Sequence, residues 1–266
     1  MRGGMRLGVQ DRSLEGRSLQ EKWQFAAELG FDGIELRGGP EFAGRVDELE
    51  RARRAGVVMP TVCLADDHFI GDFDADRRRI AIRTMKTLLS VIVEAGGFGA
   101  ITPASFGIFS KRLSRSDPPR SAAEDRKVLL EGLTELGEHA RAVGAVLLLE
   151  PLNRYEDYMV NTLAEGASLI DEVGLPSVKL MADTFHMNIE EVDPAAALRR
   201  HAGVLAHVQV SDTNRLEPGA GHYDWAGTLA ALEESGYEGW LTIECRVLSG
   251  PPAVALAPVP ALLGRG

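Results

Sequence analysis

One local pattern occurs seven times along this chain: an amphipathic helical stretch, a glycine, then a short apolar run rich in β-forming residues. The glycines are Gly30 before FDGIELR, Gly56 before VVMPTV, Gly97 before FGAITP, Gly144 before AVLLLE, Gly174 before LPSVKLMAD, Gly203 before VLAHVQV and Gly236 before YEGWLTIE. A glycine at such a junction suits the left-handed residue that ends a helix, so the chain can turn back into a strand without a Cβ clash. Helix starts agree. Ser18 with Glu21, Ser121 with Glu124 and Thr162 with Glu165 have capping-box spacing, and Asp193-Pro194 offers an N-cap and a first-turn proline.

Residues 6–9 add an initial strand and bring the count to eight. Eight strands alternating with helices in 266 residues predict an α/β fold of one kind, a (β/α)8 TIM barrel, because right-handed crossovers of this type close at eight. An open doubly wound sheet is the rival. It calls for a glycine-rich phosphate turn after the first strand, and Gly8-Val9-Gln10-Asp11 is not one. No linker divides the chain, so a single domain over residues 1–266 is expected. Prolines at 258 and 260 interrupt any closing helix, and residues 251–266 form a tail that need not be well ordered.

The balance of 29 Lys and Arg against 39 Asp and Glu leaves a net charge of −10, which repels phosphate backbones and anionic membrane surfaces. Neither a nucleic-acid nor a membrane partner is expected. Two cysteines are too few for a disulfide framework and fit a reducing compartment. No stretch reaches the roughly 18 apolar residues of a membrane helix. These observations read as a soluble, cytoplasmic protein.

Chemistry concentrates where the last four strands end, at Glu150, Asp183, Gln209 and Glu244. Their separations of 33, 26 and 35 residues each approximate one βα unit, so in a barrel they come from adjacent strands and converge at the carboxyl-end mouth. Three neighbouring carboxylates repel unless a cation neutralises them. An oxygen-rich set without thiolate selects a divalent ion such as Mn²⁺, Mg²⁺ or Co²⁺. Glu156, His186 and Arg215 lie close by in sequence and suit sugar hydroxyls and a carbonyl. His207 shares a strand face with Gln209, as support or as core packing. His68 and His222 are loop residues on the same side, and Cys63 reads as small apolar lining. Two long loops also follow strands. Residues 65–75 are rich in Asp; residues 104–120 carry Lys111, Arg112 and Arg115, and read as a solvated or subunit-contact surface, with a lid or an anchor for an anionic substrate as the alternative.

The strings EPLNRYE at 150–156, DTFHMNIEE at 183–191, Asn214-Arg215 followed by PGAG at 218–221, and Glu244 on the last strand resemble the xylose isomerase-like barrel superfamily. Within it they look like the ketose 3-epimerases of the tagatose or psicose type. The resemblance implies one divalent metal, usually Mn²⁺, held by Glu150, Asp183, Gln209 and Glu244. It further implies proton exchange at the substrate by Glu150 and Glu244, hydroxyl and carbonyl contacts from Glu156, His186 and Arg215, and a homodimer or homotetramer. The chain departs from that pattern at Gln209, where those epimerases have His and hydroxypyruvate isomerase-like relatives carry Gln.

Epimerising a carbon beside a ketone requires acid/base groups on both faces, which Glu150 and Glu244 can supply, whereas aldose–ketose isomerisation needs one base. An inosose isomerase or dehydratase would use the same metal on a cyclic polyol. Two readings of other classes remain. An abasic-site endonuclease on this barrel needs a histidine-rich three-metal cluster, and six histidines with a charge of −10 do not fit it. A sugar-binding barrel without turnover would have no need of both bases.

Overall fold

The apolar runs after the glycine junctions are short and nearly continuous, the composition of strands buried on both faces. In the computed structural model, which describes residues 4–107 and 118–264, the initial run forms β1 (Arg6–Gln10) and the seven others form β2 (Gly33–Gly38), β3 (Thr61–Leu64), β4 (Gly99–Pro103), β5 (Val146–Glu150), β6 (Val178–Asp183), β7 (Leu205–Val210) and β8 (Trp240–Ile243). Each strand pairs in parallel with the next, and β1 pairs with β8, closing the barrel in sequence order. The chain is therefore a (β/α)8 barrel, as its junctions predict.

The helices are α1 (Leu19–Glu28), α2 (Val46–Arg54), α3 (Ala75–Glu94), α4 (Ala122–Val143), α5 (Leu163–Val173), α6 (Thr184–Glu190), α7 (Pro194–His201), α8 (Trp225–Glu234), α9 (Pro252–Leu256) and α10 (Val259–Leu262). None is long and apolar enough to cross a membrane, among the described residues. Period-two alternation divides each strand between two cores. Outward residues such as Val9, Leu36, Leu147 and Ile243 pack with the helices, while Cys63, Ile101, Leu148 and Met181 form a separate cluster inside the barrel.

The junctions follow the expected chemistry with two local differences. Gly30, Gly56, Gly144, Gly174 and Gly236 have positive φ. At the third junction the left-handed residue is Gly96, at φ 87°, and Gly97 is small for another reason: a Cβ there would lie 2.5 Å from the Met59 carbonyl oxygen. Gly203 needs no such backbone, because α7 passes through right-handed Ala202 into the turn. Ser121 with Glu124 and Thr162 with Glu165 form complete capping boxes. Ser18 accepts from the Glu21 N–H, but the Glu21 carboxylate turns to the Arg17 N–H.

The two tail prolines split the closing helix into α9 and α10, whose Leu256 and Val259 are fully buried. Pro260 sits within the first turn of α10, where a missing N–H leaves no helical bond unmade. Lys111, Arg112 and Arg115 of the basic loop lie outside the described residues. Its last residue, Arg120, is a strut: it pairs with Asp125 at 2.7 Å and donates to the Gly71 and Asp72 carbonyls.

Candidate functional site

Barrel closure brings the four strand-end residues to one mouth. Glu150 and Asp183 are the last residues of β5 and β6, Gln209 pairs in register with Asp183, and Glu244 follows β8 directly. Glu150, Glu156, His186, Arg215 and Glu244 line a cleft of about 630 Å³ at this end. Glu150, Asp183 and His186 each offer a ligand atom within 4.8 Å of the others.

Arg215 ties the acidic groups together. Its Nη1 donates to Asp183 Oδ2 at 2.5 Å and its Nη2 to Glu244 Oε2 at 2.6 Å. The other Asp183 oxygen caps α6, accepting from the Phe185 and His186 N–H groups, so N-cap and site roles coexist in one carboxylate. Arg215 reaches this position with φ 62°, the one non-glycine left-handed residue among those described. Such a backbone persists only where its surroundings hold it. Here the Arg215 N–H donates to the Asp212 carbonyl, its own carbonyl accepts from the Arg246 N–H, and its guanidinium lies 5.1 Å from the centre of the Phe185 ring. Burial opposes ionisation of Asp212, yet hydrogen bonds from the N–H groups of Thr213, Tyr223 and Gly219 and from the Trp225 indole hold its carboxyl below the usual range. That anchored carboxylate shapes the loop carrying Arg215.

His186 is fixed in one tautomer. Its Nδ1 accepts from the Asn153 backbone N–H at 3.1 Å and faces the Asn153 amide nitrogen at 2.8 Å. The proton therefore sits on Nε2, which lies 3.7 Å from Glu150 Oε1 and 3.9 Å from Glu156 Oε2. Burial, then the charge of Arg215, lowers the imidazole to about 3, so it is a neutral N–H donor facing the cleft. A nitrogen bearing that proton is not free to ligate a metal. Burial, then the charges of Glu244 and Asp183, push the Glu150 carboxyl well above the usual carboxylate range. Burial also raises Glu156.

Gln209, in register with Asp183, is fully buried. Its amide nitrogen donates to Glu35 Oε1 at 2.6 Å, and its carbonyl oxygen is buried with no partner among the described residues. Glu35 is itself fully buried and also accepts from Gln10, Thr61 and His207 at 3.0, 2.7 and 2.9 Å. Burial alone would raise the Glu35 carboxyl, but the hydrogen bond and charge of His207, with the hydrogen bonds from Gln10 and Thr61, bring it below the usual range. His207 thus supports this polar layer. An orphaned buried carbonyl oxygen, with Glu150 held toward its protonated form by burial and by the charges of Glu244 and Asp183, makes a donor set suited to a hard cation.

Of the weaker sequence candidates, His68 lies with Asp66 and Asp67 in the loop after β3, and these three form a second group able to offer close ligand atoms. His222 faces the Thr213 hydroxyl at 3.1 Å. Cys63 lines the cleft as a thiol, since burial and then Glu244 and Glu150 push it well above its ordinary value. Sequence reasoning missed Glu35, Asn153 and Arg12. Glu35 had a visible signal, a lone carboxylate inside an apolar run at a position that faces inward. Asn153 and Arg12 had none, because their roles depend on His186 and Glu244, 33 and 232 positions away.

The family model described as xylose isomerase-like TIM barrel matches residues 23–259. A 3-dehydro-D-guloside 4-epimerase of Escherichia coli is 36% identical over 252 residues, covering 94% of this chain and 96% of that protein. A D-psicose 3-epimerase of Enterocloster bolteae is 36% identical over 163 residues, 61% of this chain and 51% of that protein. The crystal structure of a 3-keto-D-glucoside 4-epimerase from E. coli superposes with a TM-score of 0.91 at 35% identity, covering 97% of this chain and 98% of that one. The chain belongs to the xylose isomerase-like TIM-barrel family, and its close relatives there are sugar epimerases.

Proposed function

We propose that this protein is a divalent-metal-dependent sugar epimerase that removes a proton from the carbon beside a ketone and returns one to the opposite face through an enediolate. On a free ketose that carbon is C3. The observation that carries the reading is the meeting of Glu150 and Glu244, from strands 94 residues apart, in one cleft around Arg215. Glu150 and Glu244 are the two proton-exchanging groups, and epimerisation needs one on each face.

Glu150, Asp183, Gln209 and Glu244 would hold the ion, with Mn²⁺ favoured by their oxygen donors. Bound there, it would supply positive charge for the oxygen that becomes negative as the proton leaves. The remaining work belongs to side chains. His186 donates its fixed Nε2–H to a substrate oxygen, Glu156 accepts a hydroxyl, and Arg215 donates to the carbonyl while keeping Asp183 and Glu244 in register. Leu64, Leu152 and Phe69 line the cleft and limit water around the reacting carbon.

A second reading keeps the chemistry and changes the substrate: C4 of a glycoside bearing a 3-keto group. The 36% identity to the guloside epimerase over 94% of the chain favours it, as does a cleft of about 630 Å³, roomy for a single free ketose.

Metal-stripped and Mn²⁺-reloaded protein should be incubated in D₂O with ketohexoses, ketopentoses, hydroxypyruvate and 3-keto-glycosides, with products followed by NMR. Metal-dependent deuterium at ketose C3 with the C3 epimer supports the first reading, and deuterium at glycoside C4 the second. Exchange at C1 with an aldose product would replace both with isomerisation. Silence across the panel would remove free ketoses and 3-keto-glycosides as substrates and shift the reading to sugar phosphates, cyclic polyols or a barrel that only binds sugar.

A further inference from the structure

The cleft holds positive charge that proton exchange does not use. Arg37 lies in β2, Arg12 follows β1 by two residues, and Arg246 follows β8 by three. Strands β8, β1 and β2 are neighbours in the closed barrel, so the three side chains come from one continuous part of the mouth, and all three line the cleft. Arg12 reaches into the reacting region, with its Nη2 3.3 Å from Glu244 Oε1. The side chains of Arg37 and Arg246 have no hydrogen-bonding or ionic partner among the described residues.

Elsewhere on the molecule Arg126 and Arg199, on outer helices, pair with Glu172 and Glu234 at 2.6 Å, and Arg154, in the loop after β5, pairs with Glu190 at 2.9 Å. A chain with 39 acidic residues has no shortage of partners. Two other acidic residues of the lining, Asp66 and Asp67, are engaged with His68, and Asp67 also with Arg77. Sugar hydroxyls are neutral and are served by His186 and Glu156. Arg37 and Arg246 have no carboxylate on them among the described residues, and Arg12 meets one only through Glu244 at 3.3 Å; guanidiniums left open in this way match the flat, multi-oxygen geometry of a carboxylate or phosphate, which guanidinium binds through paired, charge-assisted hydrogen bonds.

We propose that Arg12, Arg37 and Arg246 form a binding wall for an anionic substituent on the sugar, a carboxylate or a phosphate. The proposal rests on the reading that this cleft processes a keto sugar, and it narrows that substrate to a keto-sugar acid or a sugar phosphate. Because Arg12 touches both the wall and Glu244, the anion lies on the Glu244 side of the substrate. The field of the wall also draws anionic substrates toward a protein whose net charge would otherwise repel them.

The test compares three ketohexoses of matched skeleton: D-fructose, D-fructuronate and D-fructose 6-phosphate. Binding to the Mn²⁺-loaded protein is measured by titration calorimetry at low and high salt, for the parent, Arg37→Ala, Arg246→Ala and the double variant. Solvent deuterium incorporation is followed separately. One of the two anions should bind on the order of tenfold or more tighter than fructose at low salt, and the advantage should shrink at high salt. The double variant should lose that advantage and leave fructose binding unchanged; which anion wins identifies the group. Equal affinities for all three sugars, or an equal loss for fructose and the anions in the double variant, would overturn the proposal. Arginine-dependent anion binding with no deuterium incorporated into any sugar would keep the wall and remove the epimerase chemistry.

Discussion

Gln209 gives its amide N–H to Glu35 at 2.6 Å, and this bond decides which end of the amide is left over: the carbonyl oxygen, buried and unpartnered. The carboxylate can give that instruction because it only accepts, and because Gln10, Thr61 and His207 already fix both of its oxygens. With Gln209 as a proposed ligand, Glu35→Gln brings an NH₂ group among four donors and lets the Gln209 amide lose its orientation. Mn²⁺ affinity measured by calorimetry should fall on the order of tenfold to a hundredfold, the usual cost of losing a group that orients a ligand. Urea denaturation should show a loss of about 2–4 kcal/mol from the broken buried network. Parental Mn²⁺ affinity in a folded Glu35→Gln protein would remove Gln209 from the ligand set.

Glu244 accepts from Arg12 and Arg215 at the cleft wall. Glu244→Gln keeps the shape and an acceptor oxygen but can no longer take a proton. Deuterium exchange at the substrate carbon should drop by roughly 10²-fold or more, while circular dichroism stays parental. Exchange at the parental rate would show that the base is elsewhere.

The left-handed backbone of Arg215 gives a test that separates strain from side-chain function. Arg215→Gly and Arg215→Ala both delete the guanidinium, so both should raise the Michaelis constant for keto sugars. Glycine alone accepts φ 62° without a Cβ penalty, so the Gly variant should be about 1 kcal/mol more stable than the Ala variant in urea. Equal stabilities would mean that the loop relaxes once the side chain is gone.

Asp157, beside Glu156, is buried, and burial outweighs its hydrogen bonds from Ser105 and the N–H groups of Met159 and Tyr158, raising its carboxyl to about 6. The folded state therefore holds this proton above the pH at which an unfolded Asp, near 3.8, releases it. Stability from this group is fully present below about pH 4 and is lost as pH rises through 6. Asp157→Asn cannot ionise, so the variant should gain stability relative to the parent between pH 4 and pH 7, by roughly 1–3 kcal/mol. Denaturation at the two pH values checks this, and a difference that does not change with pH would show that Asp157 ionises as it does in the unfolded chain.

The eight-strand barrel was legible in the sequence because it rests on local chemistry repeated along the chain: a helix that needs a left-handed exit, then a run too short and too apolar for anything but a buried strand. The convergence of Glu150, Asp183, Gln209 and Glu244 followed from the same repeat, since residues spaced by one βα unit at strand ends must share a barrel mouth. Even there, small steric facts escaped. Gly96, not Gly97, takes the left-handed turn, and Gly97 instead clears the Met59 carbonyl, a neighbour supplied by the segment that leads into β3. What only the tertiary structure decided are the pairings made by closing the ring. Arg215 bridges Asp183 and Glu244, Asn153 sets the tautomer of His186, and Glu35 orients Gln209 from 174 positions away. Such contacts leave no trace in local pattern, because each depends on which inward-facing side chains the barrel's register brings to the same height. Composition told of a net negative chain; only the fold gathers three of its arginines on one wall of the cleft.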